Sequence, residues 1–155
     1  MSVLKNKRTE SKAEFVNTAN DIYAETLAFV TRLTTRYARI MAADIVSLAG
    51  EVLDNAEKAN KVFPSDEERI VIRKEFLLNA LASLSALDVR LTHCYVAMSK
   101  NPYGCFTNAK GQDDSKDKAI KRLDSMSYKL GNLIDKEDAL LKAVLVSDTR
   151  RRKNL

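Results

Sequence analysis

Four stretches of this chain carry apolar residues at intervals of three and four, the spacing that lines one face of a helix. In the first, Phe15, Ala19, Ile22, Thr26, Phe29 and Leu33 follow Ser11 and Glu14, a hydroxyl and a carboxylate spaced to satisfy the free amides of an opening turn. They predict a helix over about 11–33. Met41, Ile45, Leu48, Val52, Ala56 and Ala59 predict a second over about 36–61, divided from the first by Thr34 and Thr35 and closed by Val62, Phe63 and Pro64. Ser65 and Glu68 repeat the capping spacing just past Pro64, and Asp66 and Glu67 place negative charge at the positive end of the helix dipole. Ile70, Leu77, Ala80, Leu84, Leu87, Leu91, Cys94 and Met98 then predict a third helix over about 66–99, its apolar stripe interrupted at Arg73. Asn101, Pro102, Tyr103 and Gly104 break it, and the polar run 105–115 reads as an exposed loop. The last stripe, Ile120, Leu123, Met126, Leu130, Leu133, Leu140 and Val144, predicts a helix over about 116–147 in which Glu137 holds a position that should be apolar.

Four long amphipathic helices with mostly short connections predict an all-α fold, an antiparallel up-down four-helix bundle forming one domain over 1–155. Helix two adds Ala38, Ile40, Ala42, Ala43, Val46, Ala49 and Leu53 to its main stripe, and helix three adds Val71, Phe76, Leu78 and Val89. Either the core stripes are wide, or this surplus is buried between subunits of a homo-oligomer.

Composition narrows the picture further. With four glycines and two prolines in 155 residues, the closely spaced turns of a β-sandwich or barrel are missing. Cys94 and Cys105 match neither a disulfide framework nor a zinc or redox motif, which points to a reducing, cytoplasmic compartment. No apolar run follows the first residues as a signal peptide would require, and no stretch is long enough to cross a bilayer. The net charge of +5 is distributed unevenly: residues 1–12 carry +3, residues 148–155 carry +3, and the body between them −1. Basic ends on a nearly neutral body reach nucleic acid, an anionic membrane or an acidic partner, or act as solubilising tails.

Candidate chemistry is sparse. One histidine cannot supply the Glu-x-x-His pairs of a di-iron bundle, and His93 and Cys94 point about 100° apart on a helix, so no metal site is expected. There is no glycine-rich phosphate loop, nucleophile elbow or second histidine, which argues against an enzyme and leaves no cofactor to bind. The basic residues remain. Arg32, Arg36 and Arg39, four and three apart, form one cluster on a side of the chain if helical, suited to phosphate, or else a solvated helix end. Lys116, Lys118, Lys121 and Arg122 form another group, offset locally by Asp113, Asp114 and Asp117.

Three segments carry a resemblance: Ser2-Val3-Leu4-Lys5-Asn6-Lys7-Arg8 with Glu10, Ser11, Lys12, Phe15 and Val16; Leu48-Ala49-Gly50-Glu51-Val52-Leu53-Asp54-Asn55 with Lys58, Ala59 and Asn60; and Val146-Ser147-Asp148 with Arg150, Arg152 and Lys153. Together they resemble the Avd-like four-helix bundle family, which includes the accessory variability determinant of diversity-generating retroelements and is related in shape to the four-helix proteins of ribosomal RNA intervening sequences. The likeness leaves out about 100–118, which reads as an insertion. It implies a basic, ring-like homopentamer without catalysis of its own, binding RNA or DNA and a reverse transcriptase to support complementary-DNA synthesis. The residues it implies for nucleic-acid binding are Lys5, Lys7 and Arg8, Arg150, Arg152 and Lys153 at the ends, with Arg151 beside them, and Arg32, Arg36 and Arg39 at the helix turn. The neutral body departs from a strongly basic bundle. The alternative, from a different class, is a helical protein-interaction module whose basic tails have no nucleic-acid role.

Overall fold

A computed structural model describes residues 13–155, which form four α-helices: α1 (Glu14–Val30), α2 (Thr35–Lys61), α3 (Glu67–Lys100) and α4 (Lys116–Lys153). Each helix packs against its two neighbours in a closed square, α1 on α2, α2 on α3, α3 on α4 and α4 on α1. Cross-helix pairs fix the antiparallel sense. Glu51 meets Ser83 and Asp44 meets Arg90 between α2 and α3, while Tyr95 meets Asp124, Arg73 meets Asp148 and Glu67 meets Arg152 between α3 and α4. The bundle therefore has a turn end, where the α1–α2 and α3–α4 connections lie, and a terminal end, which holds Ala13, the α2–α3 connection and the end of α4.

The expected stripes build the core on α1 and α3, where every predicted apolar position from Phe15 to Phe29 and from Ile70 to Met98 is buried. On α4 the buried face drifts by one residue after Leu130, through Ile134, Glu137 and Leu141 to Asp148, so Leu133, Leu140 and Val144 only flank the core and Ile120 is exposed. Helix two's surplus is divided: Ala49 is fully buried and Ala38 and Leu53 pack against the core, Ala42 and Val46 are half-buried, and Ala43 and Ile40 are exposed, Ile40 by 71%. On α3, Val71, Leu78, Val89 and Val96 stay about half exposed. Their spacings of seven and eleven residues are close to whole numbers of helical turns, which aligns them in one outward stripe.

Several expected boundaries are corrected. Helix one ends at Val30, not Leu33, because Arg32 and Leu33 turn to meet the long connection before α4. Ser11 and the other residues before Ala13 lie outside the described residues, and Ala13 stands at the N-cap of α1 without a side-chain hydrogen bond. The cap of α3 is Asp66 rather than Ser65: its carboxylate accepts the Arg69 backbone N–H at 2.9 Å, and that bond holds the carboxyl below its usual range. Helix four does not stop near residue 147 but continues to Lys153, so the C-terminal basic residues are helical rather than a tail.

The expected exposed loop over 105–115 is instead a clasp on the turn end. Cys105, Phe106 and Asp114 are buried. The Thr34 N–H donates to Cys105 O at 2.9 Å, the Thr107 N–H donates to Arg32 O at 2.8 Å, and the Thr34 hydroxyl donates to Gly104 O at 2.8 Å instead of capping α2. Phe106 meets Phe29 edge-on, with ring centroids 5.9 Å apart. Gly104 and Gly111 adopt φ of 79° and 77°, left-handed turns that a side chain would strain, and Asn108 Oδ1 accepts the Lys110 and Gln112 amides to hold the second of them. Polarity of sequence misled here because the hydrogen bonds are made within the clasp and to the α1–α2 turn, leaving Phe106 free to fill the core.

Candidate nucleic-acid interface

The described basic candidates divide between the two ends of the bundle. Helix α3 alone, with 34 residues, is roughly 50 Å long at 1.5 Å per residue, so the two groups cannot share a phosphate. Along a duplex, that length corresponds to about 15 base pairs at 3.4 Å per phosphate on each strand.

At the turn end the Arg32, Arg36, Arg39 cluster is split. Arg32 is not helical: it follows the C-cap Thr31, and its half-buried guanidinium donates through Nε to Thr107 O at 3.0 Å. It faces a cavity shared with Arg122 and Lys129 of α4. Arg36 and Arg39 are exposed in the first turns of α2. The Arg36 guanidinium lies 5.0 Å from the Tyr37 ring centre and borders a second, shallower cavity with Tyr103 and Asp113. The group at the start of α4 is also divided, since Arg122 donates through Nε to the buried carboxylate of Asp114 at 2.6 Å while Lys116, Lys118 and Lys121 are exposed.

At the terminal end Arg150, Arg151, Arg152 and Lys153 form the last turn of α4, where positive charge complements the partial negative charge of the helix terminus. Arg152 pairs with Glu67 of α3, and Arg151 lies 5.7 Å from the Phe63 ring centre. Arg150 and Lys153 are exposed and hold no ion pair with a described residue. Lys5, Lys7 and Arg8 lie outside the described residues.

Beneath this end is an ion pair that the sequence marked only by half. Arg73, the interruption in the α3 stripe, donates through Nε to Asp148 at 2.7 Å and through Nη1 to the carbonyls of Ala59 and Val62, and both partners are largely buried. One guanidinium thus ties the end of α2 to α3 and α4. The legible signal for its partner was the continuation of the α4 spacing from Ile134 and Leu141 by seven residues to Asp148. Lys129 was likewise missed, although it stands seven residues after Arg122 and so shares its helix face.

Glu137 lies fully buried on the core side of α4, and neither carboxylate oxygen has a hydrogen-bond partner among the described residues. Burial pushes its pKa up to about 8, against a smaller opposing pull from Lys136. Burial also raises the Cys94 thiol to about 11 and raises Cys105, so neither offers a thiolate near neutral pH. Among the described residues no three His, Cys, Asp or Glu side chains gather to hold a metal ion, and no helix is long and apolar enough to cross a membrane.

Comparison with known proteins finds no matching family model, curated protein or solved structure.

Proposed function

We propose that this chain is a non-enzymatic accessory protein that binds nucleic acid and a reverse transcriptase and so supports complementary-DNA synthesis in a diversity-generating retroelement, as its resemblance to the Avd-like bundles implies. The observation that carries the nucleic-acid part is the pair of exposed basic groups, Arg36 and Arg39 at one end and Arg150, Arg151 and Lys153 at the other, on a bundle whose body is nearly neutral. Guanidinium and ammonium groups without intramolecular carboxylate partners retain their full attraction for phosphate.

A homo-oligomer, ring-like and pentameric as the resemblance implies, is supported by the outward apolar stripe of α3 and by exposed Ile40 on α2. Repetition of the two basic groups around such a ring would multiply modest single contacts through linked binding. The protein-only alternative draws support from Arg152, which is paired with Glu67 within the chain rather than left for phosphate. Co-expression with a reverse transcriptase encoded beside the gene separates the two. The accessory reading expects a complex that co-purifies and an oligomer well above 17.4 kDa by sedimentation. A clean monomer that ignores both the polymerase and nucleic acid would overturn it.

A further inference from the structure

The cavity at the turn end has a composition that general attraction for phosphate does not require. It lies between the end of α1, the start of α4 and Phe106 of the clasp, with a volume of about 160 Å³. A cavity of roughly 150 Å³ accommodates one benzene-sized ring, so this one is too small for a whole nucleotide and large enough for part of a base. Phe29, Phe106 and Met126 make its inner side apolar, while Arg32, Lys129 and Arg122 supply positive groups around it, Arg122 with its charge offset by Asp114 and only its Nε taken up in that pair. Arg32 and Arg122 are each anchored through Nε to the clasp, which fixes the direction of their planes. Glu25 of α1 adds a half-buried carboxylate without a partner among the described residues.

We propose that this cavity receives one unpaired base of a single-stranded nucleic acid, with the adjoining phosphate held by Arg32, Arg122 and Lys129. The inference rests on the nucleic-acid reading above and narrows it to the single-stranded form. An anion alone would be served by the cations and opposed by Glu25. A base explains both, because every nucleobase carries an N–H donor on its pairing edge that a carboxylate accepts, and the apolar rings receive its face or edge. In a duplex those donors are used in pairing and the bases are stacked, so only an unpaired base can enter. The recognition is therefore selective for strandedness and tolerant of sequence.

The test compares a fluorescein-labelled single strand of about 12 nucleotides with a blunt duplex of the same length by anisotropy, using the full chain and two variants. Ser125→Trp places a large ring at an exposed position of α4 that lines the cavity, and Glu25→Ala removes the carboxylate. Both variants are first matched to the parent by circular dichroism and melting temperature. The expected result is a loss of about tenfold in single-strand affinity for each variant, the size of one lost base stack for Ser125→Trp and of one lost hydrogen bond to a charged acceptor for Glu25→Ala, with duplex affinity unchanged within about twofold. Equal affinity of the parent chain for both forms, or variants that weaken both equally, would overturn the cavity while leaving nucleic-acid binding in place. Failure of the parent to bind either form would overturn both. Displacement of the strand by an equimolar nucleoside monophosphate would reassign the cavity to a free nucleotide and overturn the single-strand proposal.

Discussion

Replacement of Glu137 by methionine should stabilise the bundle by an amount that grows with pH. In the folded chain the carboxyl is fully buried without a hydrogen-bond partner among the described residues, and burial raises its pKa to about 8, against 4.5 for an unperturbed glutamate. Between those two values the folded state holds a proton that the unfolded state has released, so stability falls as pH rises, and it levels off above the folded value. At 1.36 kcal/mol for each pH unit, the loss is about 3 kcal/mol by pH 7 and approaches about 5 kcal/mol above pH 8. Methionine has nearly the same volume, needs no hydrogen bond and fills irregular core space, so it removes the titration without opening a cavity. Urea unfolding of parent and variant, followed by circular dichroism at about pH 5 and about pH 9, isolates this one group because all others cancel in the difference. The variant's advantage should widen by about 4 kcal/mol between the two conditions. An advantage that stays constant within about 0.5 kcal/mol would refute the reasoning, since Glu137 would then titrate alike in both states.

Three further outcomes follow from the same contacts. Arg73→Ala and Asp148→Ala should each destabilise the chain by about 3 kcal/mol, with the double variant costing clearly less than the two together, as a double-mutant unfolding cycle would measure. Phe106→Ala should cost about 3 kcal/mol and lower the melting temperature by roughly 6–12 °C, because the clasp loses its only fully buried aromatic ring among the described residues. Cys94 and Cys105 should resist an aromatic disulfide reagent at neutral pH until denaturant is added; rapid modification of the native chain would contradict their burial.

The helices were legible in the sequence because a bundle core needs one apolar face per helix, and that requirement leaves a period of three and four that polar surface residues do not disturb. Arg73 and Glu137 were legible as anomalies in those stripes. Their environments were not: Asp148 joins Arg73 from 75 residues away, while Glu137 finds no hydrogen-bond partner among the described residues, and a stripe carries no information about what faces it. The clasp was hidden for a related reason. It bonds to the α1–α2 turn largely through backbone groups, which every residue has, so only Cys105 and Phe106 could have signalled that the segment folds inward. Charge counting located the basic ends but could not divide them: Arg152 and Arg150 look alike in sequence, and only packing against α3 sets Glu67 beside one of them. Continuation of α4 to Lys153 was obscured because the core face shifts by one residue past Leu130, which takes Leu140 and Val144 out of the buried stripe and makes the pattern fade early.

The salt dependence of nucleic-acid binding tests the central claim most directly. The parent chain is compared with a variant in which Arg150, Arg151, Arg152 and Lys153 are all glutamine, a change that keeps the helix where deletion would shorten it. Each duplex phosphate contact contributes about 0.9 to the slope of log affinity against log salt. Arg152 is paired with Glu67, whereas the Phe63 ring beside Arg151 carries no charge, so Arg150, Arg151 and Lys153 are the cations left to respond among the described residues. The account predicts binding of RNA and DNA by the parent at about 50 mM salt, insensitive to sequence, and a slope shallower by up to about 3 units in the variant for each engaged helix end. No measurable binding by the parent at that salt, or an affinity and slope unchanged in the variant, would contradict it.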